Sequence, residues 1–177
     1  MRVPLLAVLL AVPAALSCSA SASAPESPYE AFFRRPDRVQ IFLADYPRSW
    51  GGDRSSWPTD VLEEDLPHSG EHYVLPREGP ELTWVQRRRL AASFIPPQEP
   101  NPYPLRKCGF NPDIALRYWR GDTWMDVVIC LGCIKFAYLD AKGNSVPDEQ
   151  VGYLKDPDLL MELATAAFPK EKFRQGW

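Results

Sequence analysis

Ile114-Ala115-Leu116-Arg117-Tyr118-Trp119, then Arg120-Gly121-Asp122-Thr123, then Trp124-Met125-Asp126-Val127-Val128-Ile129-Cys130: two runs rich in β-branched and aromatic residues flank a short polar break. This pattern predicts a tight antiparallel hairpin turning at Gly121 and Asp122. Leu131-Gly132 interrupts the second strand. Ile134 to Leu139 then alternates at period two, with Ile134, Phe136 and Tyr138 on one face. Ala141-Lys142-Gly143-Asn144 turns the chain away. The expectation is a three-stranded antiparallel meander. If Gly121 and Asp122 form the turn, Arg120 faces Thr123. Carried back, this register sets position 113 opposite Cys130 and Phe110 opposite residue 133. Cys108 then falls near the same end of the sheet as Cys130 and Cys133.

Outward from the hairpin, Arg38 to Leu43 reads as a strand with apolar Val39, Ile41 and Leu43. Tyr46 to Gly70 is an irregular excursion pinned by Trp50, Trp57 and Leu66, and Glu71 to Leu75 is a second short strand. Thr83 and Gln86 match a capping box, so a helix is expected from there to about Phe94, ahead of Pro96-Pro97. Its apolar face would be Trp84, Ala91 and Ile95, flanked by Val85, Ala92 and Phe94. Residues 96–107 form a stiff Pro-rich connector. Asp156 and Pro157 open a last helix as N-cap and first-turn proline. Leu159, Leu160, Leu163, Ala164, Ala167 and Phe168 form its apolar face, and Pro169 ends it. The expected class is therefore α+β: a three-stranded or larger antiparallel meander packed against two helices, with long Pro-rich loops. No internal repeat stands out.

The 177 residues, 45% hydrophobic and 24% charged, suit one soluble globular domain after removal of a leader. Net charge is −3, and −4 once residues 1–17, whose only charge is Arg2, are removed. Such a mildly acidic chain lacks the footprint of a nucleic-acid binder. Arg87-Arg88-Arg89 is the compact basic run, read as a solvated helix face. Met1-Arg2, an apolar stretch from Val3 to Leu16, and a run of small residues from Ser17 to Ala24 follow the grammar of a signal peptide. The apolar stretch is too short to span a ~30 Å hydrocarbon core. Ala15-Leu16-Ser17-Cys18 reads as a bacterial lipobox, with Cys18 the lipidated residue; the rival is cleavage after Ala20 or Ala22. The domain plan is thus a signal peptide over 1–17, a flexible tether over 18–37 and one α+β domain over 38–177.

Three readings of the remaining cysteines stand side by side. A structural disulfide from Cys108 to Cys130 or Cys133 suits an oxidising envelope. It would close a loop of about 25 residues and stabilise by roughly 3 kcal/mol. Alternatively, Cys130 and Cys133 have the knuckle spacing of zinc, with Cys108 a third thiolate and His68 or His72 the available histidines. Lastly, Cys130 and Cys133 form a thiol–disulfide exchange pair, although a strand pattern follows them where redox pairs open a helix. Glu63-Glu64-Asp65 and Asp148-Glu149 read as solvated turns. Asp140, Lys142, Asn144 and Asp148 faintly resemble a calcium loop without a closing twelfth carboxylate. The six tryptophans read as core and loop-pinning residues, with a binding face the alternative. No hydrolase elbow, phosphate-cradling loop or zincin motif is present.

Cys108, Phe110 and Pro112, followed by Ile129, Cys130 and Cys133, resemble a group of uncharacterised bacterial exported proteins and lipoproteins. They share a Cys-x-Phe-x-Pro segment and an Ile-Cys-x-x-Cys hairpin. The resemblance covers about 60 residues of the C-terminal half. A basic residue and a histidine usually follow the proline in that group; here Asp113 and Ile114 stand instead. The resemblance implies no established activity. The chain therefore reads as an exported bacterial envelope lipoprotein, periplasmic or secreted if not anchored. It would be a binding or structural module without cofactor, partnered with the membrane through its lipid and not with nucleic acid. The alternative is a metal-binding or thiol–disulfide enzyme using Cys108, Cys130 and Cys133, with zinc as the cofactor.

Overall fold

The computed structural model describes residues 30–52, 57–95, 109–146 and 152–173. The signal segment, Cys18, both alternative cleavage sites, the connector 96–107, Cys108 and the Asp148-Glu149 pair lie outside the described residues. In chain order the elements are α1 (Glu30–Arg34), β1 (Arg38–Asp45), β2 (His68–Ser69), β3 (Tyr73–Glu81), α2 (Trp84–Leu90) and β4 (Phe94–Ile95). There follow β5 (Ile114–Arg120), β6 (Thr123–Cys130), β7 (Lys135–Asp140), β8 (Ser145–Val146), β9 (Gly152–Leu154) and α3 (Pro157–Ala167).

Pairing from Ile114 with Ile129 through to Arg120 with Thr123 forms the expected hairpin in the expected register. Gly121 takes φ +58°, and the Asp37 carboxylate accepts its N–H at 2.7 Å. The sheet around this hairpin is larger than a meander. Among the described residues nine strands run in the order β2-β3-β1-β5-β6-β7-β9-β4, with β8 also on β7, and all of their pairings are antiparallel. The architecture is mainly antiparallel β with a few short helices.

Both faces of the central strands are covered, which is why β5 and β6 read as nearly unbroken apolar runs. On one face, Ile41, Leu116, Val127, Ile129 and Phe136 pack with Leu90 of α2 and with Leu159, Leu160 and Leu163 of α3. Asp156 caps α3 by accepting from Leu159 N–H at 3.0 Å, with Pro157 in the first turn. On the other face, Phe42, Ala115, Val128 and Leu139 form a second cluster with Leu75.

Three boundaries differ from the sequence expectation. Among the described residues the first element is α1, which seats Phe33 against Tyr118 and Tyr138, with ring centroids 5.0 and 5.2 Å apart. Residues 30–37 are thus domain and not tether, because Phe33 finds an aromatic seat on the sheet. The capping box at Thr83 and Gln86 forms, but α2 stops at Leu90, the helix's one buried residue. Trp84 and Val85, expected on an apolar face, are 62% and 60% exposed, and Ala91 and Ala92 are exposed too. The Ser93 hydroxyl bonds back to Arg89 O at 3.1 Å, and Phe94 and Ile95 leave as β4 to pair with β9. Ladder bonds to β9 replace the last helical turn. The second strand is also longer than expected, since β3 continues to Glu81 along β1.

The excursion between β1 and β3 lies over the second face. Trp57 is buried with Leu66 and Val74, and its indole N–H donates to Asp45 at 2.9 Å. Gly70 and Gly143, both at positive φ, meet so closely that a Cβ on Gly143 would sit 2.6 Å from Gly70 Cα. Beneath the excursion, facing residues Arg117 and Asp126 make a two-armed ion pair, both arms 2.8 Å. Arg117 also donates to His68 O at 2.6 Å, joining β2 to the centre of the sheet. Asp126 is 1% exposed, so removing its carboxylate strands a guanidinium in the interior. Asp126→Ala is expected to cost about 3–5 kcal/mol in urea denaturation. The volume-matched pair Arg117→Met/Asp126→Leu should cost much less; equal losses would contradict this role for the pair.

Candidate functional site

β1 ends at Asp45, β3 starts at Tyr73, β5 starts at Ile114, β6 ends at Cys130 and β7 starts at Lys135. Antiparallel order brings all these ends to one margin of the sheet. Cys130 pairs with Lys135, leaving a four-residue loop of Leu131, Gly132, Cys133 and Ile134. This loop is turned inward: Leu131 is 0% and Ile134 2% exposed. Ile134 takes φ +57°, a region that disfavours a β-branched residue by about 1–2 kcal/mol. Burial of its side chain in the main core offsets that strain. Asp113, the position placed opposite Cys130 by register, accepts Leu131 N–H on Oδ2 at 2.7 Å.

Within this loop Cys130 and Cys133 are joined by a disulfide, with Cα atoms 5.4 Å apart. The expected bridge from Cys108 to one of them is therefore replaced by a bridge inside the turn. The physical reason is local: a tight loop already holds these two Cα atoms at a bridging distance. The two cysteines are 3% and 4% exposed. Gly109, the residue after Cys108, does reach the loop, its carbonyl 3.6 Å from Cys133 Sγ. While bridged, the two sulfurs offer no thiolate to a metal or a substrate. Among the described residues no three His, Cys, Asp or Glu side chains converge as a metal site.

Beside the disulfide stands an aromatic cluster. The Tyr46 hydroxyl donates to the Phe110 carbonyl, and the Tyr73 ring lies 5.8 Å from Tyr46 and 6.0 Å from Phe110. Trp50, 58% exposed, stacks on His72 at 5.1 Å and 24°. Burial pushes the Tyr46 phenol up. Burial, with Tyr46 adding, pushes Tyr73 up to about 12. Deep in the core, burial also raises Tyr118 and Tyr138, and Tyr138 raises Tyr118 further.

The other residues picked out in the sequence have structural duties. His68 sits in β2 and offers its carbonyl to Arg117, while His72 supports Trp50. Burial raises the Asp140 carboxyl, but bonds from the Asn144 side chain and backbone and from Lys142 N–H outweigh it and hold it low. That carboxylate closes a turn. Glu63 accepts from Arg48 N–H at 3.3 Å. Two surface cavities of about 160 and 260 Å³ lie elsewhere, one lined by Trp124 and Asp140, the other by Arg77 and Phe168. The Arg117–Asp126 pair escaped the sequence reading, although the hairpin register alone sets these opposite charges face to face. Comparison with protein-family models, curated proteins and solved structures finds no match.

The fold keeps Tyr73, Tyr118 and Tyr138 neutral beyond the ordinary tyrosine value. Their contribution to stability is fully present below about pH 10 and is lost as pH rises toward the folded-state values. Melting temperature should fall once pH exceeds about 10, with tyrosinate absorbance from these three appearing together with unfolding. Their ionisation in a protein that still melts cooperatively would contradict the burial.

Proposed function

We propose that this chain is an exported bacterial envelope lipoprotein, anchored through Cys18, whose domain is a binding or structural module. The observation that carries the reading is the Cys130–Cys133 disulfide, buried in a tight turn. Protein disulfides persist in oxidising compartments, and closing so short a loop is worth only about 2 kcal/mol, a modest clip rather than a fold-defining staple. The signal-like segment and the likeness to exported proteins agree with export. Trp50 on its His72 support is the exposed aromatic surface through which the disulfide margin would meet a ligand or partner.

A second reading, zinc binding or thiol exchange at Cys108, Cys130 and Cys133, draws on the 3.6 Å approach of Cys133 Sγ to Gly109 O, next in sequence to Cys108. It requires the bridge to open readily. Two measurements separate the readings. Cells fed a fatty-acid analogue should label this chain, and Cys18→Ser should abolish labelling; an unlabelled chain released in soluble form overturns the anchor. Natively folded protein treated with a mild dithiol should keep the bridge until denaturant is added. Rapid native reduction followed by zinc uptake favours the enzyme or metal reading instead.

A further inference from the structure

The end of the sheet opposite the disulfide carries features that neither the core nor the Cys130–Cys133 loop uses. Trp84 and Val85 project from the start of α2, 62% and 60% exposed, with the Arg88 guanidinium 5.3 Å over the Trp84 ring. Arg87 donates to the carbonyls of Pro36 and Asp37 at 3.3 and 3.0 Å. Asp37 in turn holds the Gly121 turn. The start of α2, the entry of β1 and the β5–β6 turn therefore form one continuous surface. Arg35, Arg38, Arg88 and Arg120 are exposed on these segments and make no ion pair among the described residues. The exposed carboxylates of Asp37, Glu81 and Asp122 offset the four arginines only in part. Arg38 lies 3.7 Å over the Trp119 ring, so a protein of net charge −3 carries on this surface exposed arginines without a carboxylate partner, one of them, Arg88, over the exposed Trp84.

The same surface is where the N-terminal chain joins the domain. α1 begins at Glu30, and eleven residues separate it from Cys18, a span of at most ~40 Å. Exposed Trp with Arg is the chemistry of the bilayer interface: the indole sits at headgroup depth, and the guanidinium groups meet anionic phosphates. We infer that this face, centred on Trp84 and Arg88, docks the domain on an anionic lipid surface. The inference rests on the anchored reading above for its physiological setting. A short tether supplies an effective concentration in the millimolar range, so weak intrinsic affinity suffices to keep the domain seated. The Trp50 margin then points away from the membrane, because it lies at the other end of the strands.

The test uses the chain from Ser19 onward, the processed protein without its lipid. It should co-sediment with vesicles of phosphatidylglycerol and phosphatidylcholine, not with phosphatidylcholine alone. Binding should vanish at about 1 M salt, where the Debye length is ~3 Å. Arg35→Ser and Arg88→Ser should each weaken partitioning about fivefold. Brominated lipid should quench fluorescence in the parent chain, and Trp84→Phe should lose most of that quenching. These side chains are exposed, so all variants should melt like the parent. No partitioning of the parent chain, or equal partitioning of parent and arginine variants, overturns the docking face. Acyl labelling at Cys18 is read independently in cells: a labelled chain whose domain ignores vesicles sinks only this inference, and an unlabelled chain whose domain binds them sinks only the anchor.

Discussion

A glycine at positive φ, held by the carboxylate of Asp37, sets where β5 ends and β6 begins, and most of the molecule depends on that register. A shift of one residue would turn each strand face over. Arg117 would then no longer face Asp126, the excursion would lose its attachment through His68 O, and Asp113 would miss the N–H of Leu131. Because both faces of β5 and β6 are buried, apolar alternation alone specifies this register weakly. Turn geometry and the buried ion pair supply the missing specificity. A buried pair of this kind adds little net stability over apolar residues, and we assign its value to fixing one alignment.

The two ends of the strands have different physical characters. At the disulfide margin the loop folds inward, Ile134 accepts backbone strain for a place in the core, and the sulfurs are sealed. The bridge and the strain are of similar size, about 2 kcal/mol for closing the short loop against about 1–2 kcal/mol for the left-handed residue. The bridge thus holds a turn that the backbone of Ile134 resists. At the opposite end the chain enters, polar turns face solvent, and Trp84 with its arginine neighbours remains uncovered.

Where a segment's structure follows from local chemistry, the sequence was readable. The capping box at Thr83 and Gln86, the Asp156 cap with Pro157, and the Gly121 turn all depend on residues within a few positions, and all form. Where long-range pairing competes with local preference, it was not. Residues 91–95 continue a helical pattern, but the edge of β9 draws Phe94 and Ile95 into the sheet. Phe33 follows a tether-like stretch with no periodic signal, and its seat on Tyr118 and Tyr138 exists only after β5 and β7 assemble. For the cysteines, register points Cys108 toward the turn; Cys108 lies outside the described residues, and Gly109 beside it in sequence approaches Cys133. Register carried no information on bonding within the turn, because that depends on loop dihedrals that hydrophobic pattern does not encode. The opposed charges of Arg117 and Asp126 were legible from that register and passed unread.

At the sheet margin the loop between β6 and β7 closes its own bridge, Cys130 to Cys133, and Cys108 takes no part in it. Trypsin cleavage after Lys107, Arg117, Arg120 and Lys135 separates Cys108 from the other two cysteines. Mapped without reduction after thiol blocking, the peptide 121–135 should run alone with an internal Cys130–Cys133 bridge. Recovery of that peptide covalently joined to 108–117, or with both its cysteines blocked as free thiols, would contradict the account.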